Sequence, residues 1–368
     1  MKLKALSVLL ILCALFALCS CGGKKYRIAV ITDVSEIDGN TVSRYAWEGA
    51  VAYAEKYNVS CAYYKPSGAD VSVLYDTVAK AVSGGAEIVI LPGKMFEAVC
   101  YEAQKEYPDV SFVLLDGQSR DRTGTVSYTA SNAACAVFEE KDAGFAAGYA
   151  LVADGYTAIG FIGTSEDCCA GFLQGADRAA VDFDSPVNFE VYFVRDYDSA
   201  ETIKAKAEEM YTDGVDVILA EGDGTLKPVT DAAKEKNGKL AGAYTDKRYY
   251  AERVITSAVK NYSFVTNQIV TAHFENRFAE YGGKTTVYGK DNGGTGLPVK
   301  VNSDSNGNAF DRFTSFDAAA YRELAAKMSS GVYAIRNGEG AFAAGADPVE
   351  ALGLKNSAYG FVQEGAEE

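Results

Sequence analysis

Short apolar runs alternate with longer amphipathic stretches along most of the chain. The apolar runs at residues 27–32, 87–91 and 110–115 are rich in Val, Ile and Leu and have the length of strands. The stretch at residues 43–56 instead repeats its apolar positions at helical spacing. Further strands are predicted at residues 158–162, 189–194, 215–220 and 239–244, and further helices at residues 96–107, 139–153, 171–180, 202–211, 227–236, 262–281 and 317–329. Continuous apolar strands separated by helices are typical of parallel sheets covered on both faces, which indicates an α/β, doubly wound, Rossmann-like layout.

The alternation starts again after the long helix that follows residue 138, which indicates two lobes. A chain of 368 residues is also too long for one ordinary core. We expect residues 26–138 and about 257–285 to build lobe 1, and residues 139–256 and about 286–337 to build lobe 2. The last residues, 338–368, are small and acidic and are predicted to form a loosely packed tail.

Two similar α/β lobes joined by several crossings form a clamp that encloses a ligand at the carboxyl ends of both sheets and closes by hinge motion. The residues that follow the strands then line the cleft, namely Asp33, Gly93 with Lys94, Asp116, Gly163 with Thr164, residues 221–224 and Asp246. Carboxylates stand at four of these positions and favour a ligand rich in hydrogen-bond donors, such as ribose hydroxyls or amines. Each charged hydrogen bond in a closed cleft contributes about 1.5–3 kcal/mol. The alternative for any single carboxylate is a helix cap or a turn aspartate.

The first residues have the layout of a secretory signal peptide, predicted at residues 1–20. Two lysines give a positive start, an apolar run covers residues 5–18, and small residues close the segment. This run of about 14 residues is shorter than the roughly 20 that a membrane-spanning helix needs. The ending Leu-Cys-Ser-Cys21 resembles a bacterial lipobox, which predicts lipidation of the Cys21 sulfur and a protein anchored at the extracytoplasmic face of the cell membrane. The alternative is an ordinary signal peptide with an incidental cysteine.

The net negative charge of the chain limits the classes of partner that it can bind. The formal charge is −15 and becomes −17 when Lys2 and Lys4 leave with the leader. A surface of this sign is repelled by phosphate backbones and anionic headgroups, so nucleic acid is excluded as a partner and attachment to the membrane must come from lipid. Export, lipidation and a clamp together indicate a monomeric substrate-binding protein that delivers a small molecule to the permease of an importer.

Cysteine and histidine usage argues against a metal or catalytic centre. An odd number of cysteines follows Cys21, and most lie in or beside apolar stretches, so we interpret them as small buried side chains. They are Cys61, Cys100, Cys135, Cys168 and Cys169. No metal-ligand spacing of the CxxC type occurs, and His273 is the single histidine. We therefore predict no metal, no cofactor and no catalytic residue.

An ordered series of sequence blocks between about residues 26 and 261 carries a family resemblance. One block is Leu91-Pro-Gly-Lys-Met-Phe-Glu-Ala98, and the complete series stands at residues 32–49, 91–98, 112–117, 138–149, 159–163, 210–218 and 254–261. In these blocks the chain resembles the basic-membrane-protein (BMP) family of bacterial lipoproteins, which bind purine nucleosides for an ABC importer. The resemblance implies a periplasmic-binding-protein type I clamp with two Rossmann-like lobes.

The resemblance also implies which residues bind the ligand. Asp33 and Asp116 are expected to contact it, and Gly222, Asp246 and Lys260 to complete the far wall. Lys260 would donate to ribose hydroxyls, with a surface charge as the alternative reading. The complete predicted set is Asp33, Val42, Ser43, Gly93, Asp116, Gly222, Asp223, Tyr244, Asp246 and Lys260. Trp47 and Phe96 are interpreted as core side chains.

The chain departs from the family pattern where the purine is expected. The family's stacking aromatic is Val42 here, the asparagine after it is Ser43, and a phenylalanine after Gly93 is Lys94. Loss of one aromatic face forfeits about 1–3 kcal/mol of base stacking. Tyr244 is the candidate for a replacement face. We therefore predict a nucleoside-like or other small polar ligand.

Three functional hypotheses follow from these features. The leading one is a lipid-anchored substrate-binding protein of an ABC importer. The first alternative is a surface sensor of the same fold that signals to a membrane partner. The second is an extracellular nucleoside hydrolase with carboxylates as general base or metal ligands. An enzyme is disfavoured because the sequence has no aspartate-dense metal loop, no nucleophile elbow and only one histidine.

Overall fold

The computed structural model describes residues 25–34, 36–37, 41–222, 224–299, 308–355 and 357–359. The leader with Cys21, and the predicted site residue Asp223, lie outside the described residues. The strands are β1 (Ile28–Ile31), β2 (Cys61–Tyr64), β3 (Ile88–Pro92), β4 (Ser111–Leu115), β5 (Ala133–Phe138), β6 (Ala158–Gly163), β7 (Val187–Phe193), β8 (Val217–Ala220), β9 (Lys239–Tyr244), β10 (Val254–Lys260), β11 (Lys284–Tyr288), β12 (Thr295–Gly296) and β13 (Ser357–Tyr359). The helices are α1 (Val42–Tyr57), α2 (Val71–Ser83), α3 (Glu97–Glu106), α4 (Glu140–Ala153), α5 (Glu166–Phe183), α6 (Ala200–Thr212), α7 (Leu226–Lys236), α8 (Tyr262–Phe274), α9 (Ala318–Ser329) and α10 (Pro348–Leu352).

The first lobe is built on a parallel sheet with strand order β11-β5-β4-β3-β1-β2. Residues of β1 alternate between two cores. Ile28 and Val30 face α1 and α8, whereas Ala29 and Ile31 face α2 and α3. Because both faces are covered by helices, both sets of side chains must be apolar, which explains the continuous apolar run.

The second lobe repeats this plan with strand order β12-β10-β9-β8-β6-β7-β13. Its neighbouring strands are parallel except for the short β12, which runs antiparallel to β10. Helices α4, α5 and α9 contribute to the core on one face, and α6 and α7 to the core on the other. The predicted fold class, two doubly wound α/β lobes, is therefore confirmed.

Helices α4 and α5 touch through their backbones. A Cβ on Gly148 of α4 would lie 2.0 Å from the carbonyl oxygen of Phe172, and one on Gly171 of α5 would lie 1.9 Å from that of Lys141. Gly144 and Gly175 meet the opposite backbone at similarly short distances. Only glycine permits this approach, so the two helices pack as one unit.

The chain crosses between the lobes three times, after β5, after β10 and after β11. Strand β10 stays in the second sheet as far as Lys260, and β11 pairs with β5 as far as Tyr288. The last two crossings therefore come a few residues later than the boundaries expected at residues 257 and 285. The difference arises because the strand pairing of β10 and β11, rather than the helical pattern between them, fixes these points.

The described part of the C-terminal segment packs firmly on the second lobe. Phe342 and Leu352 are buried in its core, and β13 pairs with the edge strand β7. The backbone N–H of Gly338 also donates to Oδ1 of Asp167 at 2.7 Å. The prediction of a loosely packed tail is wrong for residues 338–355, because a few apolar side chains among small and acidic ones anchor the segment.

Two helices differ in length from the sequence-based prediction. The helix expected at residues 262–281 ends at Phe274, after which Asn276 adopts a left-handed φ of 59° and a separate 3-10 helix covers Phe278–Glu280. Helix α5 begins five residues earlier than expected, where the Ser165 hydroxyl caps it. Within the described residues, none of the helices has the length and apolar character needed to cross a membrane.

Glu190 on β7 makes the stability of the second lobe depend on pH. Burial, followed by the charges of Asp213 and Glu209, raises the pKa of this carboxyl from 4.5 to about 7. The folded chain therefore binds the proton more tightly than the unfolded chain, and stability falls as the pH rises from about 4.5 through about 7. We expect Glu190→Gln to stabilise the protein at pH 8 by about 1 kcal/mol after solvent screening, and by less at pH 5. Thermal unfolding at both pH values tests this. The control is Glu323→Gln on the exposed face of α9, which should change stability equally little at both pH values. If Glu190→Gln has the same effect on stability at pH 5 and pH 8, the prediction of a raised Glu190 pKa is contradicted.

Candidate functional site

A buried cluster of charges lies where the chain crosses between the lobes. Lys260 ends β10, Asp116 directly follows β4, and Glu140 begins α4. The Lys260 Nζ lies 2.9 Å from Oδ2 of Asp116 and 2.7 Å from Oε1 of Glu140. One ammonium group, on a side chain that is only 5% exposed, therefore joins a carboxylate of the first lobe to one of the second.

The charge on Lys260 is stabilised by its two partners. Burial disfavours the ammonium form, but the charges of Asp116 and Glu140 and their hydrogen bonds outweigh this effect and raise the pKa of Lys260. The amine therefore stays protonated throughout the physiological range and acts as a permanent cation. The surface-charge interpretation of Lys260 is wrong, since its side chain is buried between carboxylates.

Asp116 is held in place by its backbone as well as by Lys260. Its φ of 58° lies in the left-handed region, which aspartate tolerates better than most residues, and its N–H donates to the Ala136 carbonyl at 2.7 Å. The Tyr262 hydroxyl donates to Oδ2 of Asp116 at 2.9 Å. The carboxylate thus keeps a fixed orientation at the end of β4.

A third carboxylate, Glu221, forms the far wall at the end of β8. It is fully buried, and its Oε2 accepts hydrogen bonds from the backbone N–H groups of Thr164 at 2.7 Å and Ser165 at 2.8 Å. These two residues lead into α5, so the positive end of that helix offsets the cost of burying the carboxylate. The other oxygen of Glu221 accepts a hydrogen bond from the Tyr244 hydroxyl.

Tyr244 connects Glu221 to the central lysine. Its ring centre lies 4.5 Å from the Lys260 Nζ, which is the geometry of a cation–π contact. Its φ of 68° is unusual for a bulky residue and turns the side chain at the end of β9. Burial, followed by the charges of Glu221 and Glu140, raises the pKa of Tyr244, so the phenol remains a hydrogen-bond donor.

Three predicted residues form a second group at the start of α1. The backbone N–H of Asp33 donates to the Ser43 hydroxyl at 2.9 Å, which ties the end of β1 to the helix. Ser43 is buried, Asp33 is partly exposed, and Val42 packs against the core of the first lobe. Val42 therefore presents at most an aliphatic surface where the family pattern has an aromatic ring.

Asp246 has the role of a turn aspartate. It is 5% exposed, and its carboxylate pairs with the guanidinium of Arg248, with contacts of 3.0 Å to Nε and 2.6 Å to Nη2. The same carboxylate accepts from the Arg248 backbone N–H and caps the 3-10 helix Lys247–Tyr249. An arginine two residues away thus holds the carboxylate, and the expected place of Asp246 in the ligand wall stays a prediction.

The lobes also meet beside Asp246. Tyr45, on α1 of the first lobe, is hydrogen-bonded to the Asp246 backbone, and its hydroxyl has a raised pKa because it is buried there and near the Asp246 carboxylate. This contact and the ion pairs of Lys260 both connect the two lobes.

Two predicted glycines adopt backbone conformations that glycine favours. Gly93 has a φ of 113°, and its N–H donates to the carbonyl of Leu115, the residue before Asp116. A Cβ at this position would meet no atom within 4 Å, so Gly93 borders open space beside Asp116. Gly222 has a φ of 93° and lies against the side chain of Thr164.

The structure thus brings together Asp116, Tyr244 and Lys260 from the predicted set, and places Gly93 and Gly222 at the edges of this group. Sequence reasoning missed Glu140 and Tyr262. Glu140 lies within the sequence block at residues 138–149, and Tyr262 directly follows the block at residues 254–261. This position in the family resemblance is the feature of the sequence that could have identified them. Phe96 is fully buried in the core as expected, whereas Trp47 is half-buried, packing against the edge of the core and edge-on against Tyr63.

The chemistry of the cluster suits a ligand that donates hydrogen bonds. The Asp116 and Glu140 side chains are 22% and 25% exposed, and each carboxylate has lone pairs beyond those that Lys260 occupies. Hydroxyl or amine groups of a ligand would complete this set. The ring of Tyr244 lies beside this set, with its centre 4.5 Å from the Lys260 Nζ.

Comparisons with known proteins agree with this architecture. The family profile described as "Bmp: ABC transporter substrate-binding protein PnrA-like" matches residues 26–319. Basic membrane protein A1 of Borrelia garinii subsp. bavariensis is 26% identical over 306 residues, which cover 78% of this chain and 87% of that protein. Two solved structures of ABC transporter solute-binding proteins share the fold. The one from Conexibacter woesei has a TM-score of 0.64 at 17% identity, covering 85% of this chain and 99% of that chain. The one from Aeropyrum pernix has a TM-score of 0.62 at 18% identity, covering 89% and 98%.

Proposed function

The chain belongs to the Bmp family of PnrA-like ABC transporter substrate-binding proteins, and from this we propose that it captures a nucleoside-like small polar ligand between its lobes for an importer. The observation that carries the proposal is the cluster of Asp116, Lys260 and Glu140. It lies where both lobes contribute to one site, so a ligand bound there would contact both halves of the clamp and favour its closed form. Proteins of this class bind and release their ligand without chemical change.

The charges of the cluster support a ligand with several donors. Asp116 and Glu140 accept hydrogen bonds, and Lys260 donates them, which together match vicinal hydroxyl groups such as those of a ribose. Charge-assisted hydrogen bonds of this kind contribute about 1.5–3 kcal/mol each. Two or three of them contribute about 3–9 kcal/mol in total, which is less than micromolar affinity requires once the entropic cost of association is subtracted, so apolar contacts with the rest of the ligand would have to supply the remainder.

The base end of the ligand would meet a different surface from the one in the family pattern. Val42 offers an aliphatic side chain, and the ring of Tyr244 already faces the ammonium of Lys260. We therefore propose that contact and shape, rather than stacking on an aromatic ring at position 42, hold this end. An affinity about 10- to 100-fold lower for purine nucleosides than with a stacked ring is the expected consequence, since stacking contributes about 1–3 kcal/mol.

A thermal-shift screen tests the ligand class. The purified protein is heated with inosine, guanosine, adenosine, uridine, ribose or single amino acids. A ligand at 1,000 times its dissociation constant stabilises the folded state by about 4 kcal/mol, which raises the Tm by several degrees. A shift with at least one nucleoside is expected. Shifts confined to amino acids or other compounds without a sugar would contradict the nucleoside-like ligand.

We further propose that Cys21 anchors the protein by lipid at the extracytoplasmic face of the membrane, beside its permease. The leader and the lipobox-like ending support this location, and lipoproteins are typical of the family. Because the mature chain is strongly acidic, a lipid anchor rather than a basic surface would have to supply the membrane affinity.

Cys21→Ala is expected to release the protein from membranes into the soluble extracytoplasmic or culture fraction. The reason is that the substituted residue has no sulfur to acylate. Cell fractionation with immunoblotting measures the distribution, and Cys19→Ala is the matched control because it changes a neighbouring cysteine of the same leader. If Cys21→Ala stays in the membrane fraction as the wild type does, the lipidation site is wrong.

A further inference from the structure

One serine connects two carboxylates of the site. Ser165 directly precedes α5, and its hydroxyl donates a hydrogen bond to Oε2 of Glu140 at the start of α4. The other oxygen of Glu140 lies 2.7 Å from the Lys260 Nζ. Each oxygen of this carboxylate therefore has a different donor.

The same hydroxyl caps α5. Its oxygen accepts a hydrogen bond from the Cys168 backbone N–H at 3.1 Å, which is the usual role of a serine before a helix. Ser199 caps α6 in the same way, because its hydroxyl oxygen accepts from the Thr202 backbone N–H at 3.2 Å, and it also contacts the Thr202 hydroxyl in that helix. Capping uses the lone pairs of a serine and leaves its hydrogen free to be donated elsewhere. The bond from Ser165 to Glu140 is therefore additional to capping.

The backbone of Ser165 extends these contacts to a closed ring. Its N–H donates to Oε2 of Glu221 at 2.8 Å, and Oε1 of Glu221 accepts from the Tyr244 hydroxyl. The ring of Tyr244 lies over the Lys260 Nζ, which in turn pairs with Glu140. The five side chains thus form a continuous circuit in which Ser165 contacts one member through its hydroxyl and another through its N–H.

We propose that Ser165 is a positioning residue of the ligand site, which fixes the orientation of the Glu140 carboxylate as well as capping α5. This inference rests on the proposed function, since it assigns Glu140 to the site that receives the ligand. Ser165 itself does not contact the ligand in this assignment, because its hydrogen is given to Glu140 and its oxygen accepts from Cys168.

A carboxylate at this position needs such support. The terminal torsion of glutamate is broad, so a carboxylate held at one oxygen alone can turn about that bond. Lys260 holds Oε1 and Ser165 holds Oε2, which together fix the plane of the group. The Glu140 side chain is 25% exposed, so its remaining lone pairs stay accessible in a fixed direction. A preorganised acceptor reduces the entropy that a ligand loses when it binds.

The test compares Ser165→Ala with Ser165→Thr and with Ser199→Ala by isothermal titration with inosine, guanosine and adenosine. Ser165→Ala is expected to weaken the binding of the nucleosides that the wild type binds by about 10-fold, as loss of one charge-assisted hydrogen bond predicts. Ser165→Thr should restore the affinity to within about 2-fold, because threonine keeps the hydroxyl and also caps helices. Ser165 is partly exposed, so the added methyl group should not disturb the packing.

Ser199→Ala is the matched control for loss of a cap. Both alanine variants should lower the Tm by about 2–4 °C, but only Ser165→Ala should change the affinity. Wild-type affinity in Ser165→Ala, an equal loss in Ser199→Ala or no recovery in Ser165→Thr would each overturn the proposal.

Thermal unfolding of the protein without ligand provides a second test. Glutamine at position 140 has a single acceptor oxygen, and the Lys260 ammonium, which only donates, would take it. In the Glu140→Gln background, Ser165→Ala should therefore lower the Tm by clearly less than in the wild type, whereas Ser199→Ala should lower it equally in both. Equal losses for Ser165→Ala in the two backgrounds would refute the link to Glu140. If the wild type binds no nucleoside, the proposed function fails, and this comparison still decides whether Ser165 acts on Glu140.

Discussion

Replacing Lys260 with methionine is expected to destabilise the protein by about 3–5 kcal/mol and to abolish ligand binding. Methionine has nearly the same length and fills the same space, so the loss comes from charge rather than from packing. Removing the ammonium leaves Asp116 and Glu140 close together in a site with little solvent, and breaking a buried ion pair from one side costs this much. Urea unfolding followed by circular dichroism measures the change in the free energy of unfolding.

The matched control for Lys260→Met is Lys239→Met. Lys239 stands at the exposed start of β9, at the opposite end of the same sheet, and is expected to change stability by less than about 0.5 kcal/mol. Adding Glu140→Gln to Lys260→Met removes one of the two stranded charges and should recover part of the loss. If Lys260→Met unfolds at the same urea concentration as the wild type, the cluster does not link the lobes energetically.

Replacing Asp116 with asparagine is expected to weaken binding at least about 100-fold while the fold stays intact. Asparagine tolerates the left-handed φ of 58° and keeps the shape of the side chain, but it turns one acceptor oxygen into a donor and removes the charge. Loss of two charge-assisted hydrogen bonds of about 1.5–3 kcal/mol each exceeds two orders of magnitude in affinity. Isothermal titration with the nucleoside that gives the largest thermal shift measures the effect.

Asp109→Asn is the matched control for the Asp116 variant. Asp109 is an exposed aspartate just before β4, at the end of the strand remote from the cluster. The Asp109→Asn variant should bind the nucleoside with the affinity of the wild type. Circular dichroism of both variants separates a lost contact from a lost fold. Wild-type affinity in Asp116→Asn would place the ligand away from the crossing.

The strands that were predictable are those whose two faces are both covered. Residues of β1, β3, β4 and β8 are buried almost without exception, so their sequences are unbroken apolar runs. Strands β2 and β11 were not predicted because they lie at the two edges of the first sheet, where side chains such as Tyr63 remain exposed. Strands β5 and β10 were not predicted although they are buried, because Ala and Cys in β5 and the polar residues Thr256 and Ser257 in β10 interrupt the run of branched apolar residues that indicates a strand.

The site residues that could be predicted from the sequence are those that stand at the carboxyl end of a strand. Asp116 and Lys260 each stand at the carboxyl end of a strand, and both are in the cluster. Glu140 was not predictable in this way, since it begins a helix and meets Lys260 across 120 residues of sequence. Asp246 also follows a strand but pairs with Arg248, and a pattern of strand ends does not distinguish a carboxylate that faces the cleft from one bound by a neighbour.

The glycine contacts between α4 and α5 have a mechanical consequence for the clamp. Because the two backbones interlock at four positions, neither helix can slide or rotate against the other without a steric clash. Glu140 at the start of α4 and the N–H groups that hold Glu221 before α5 therefore keep a constant separation. When the clamp opens, the change in backbone angles therefore has to occur in the three segments that connect the lobes. The second lobe then rotates as a rigid body with its half of the site, and its atoms move further the more distant they are from those segments.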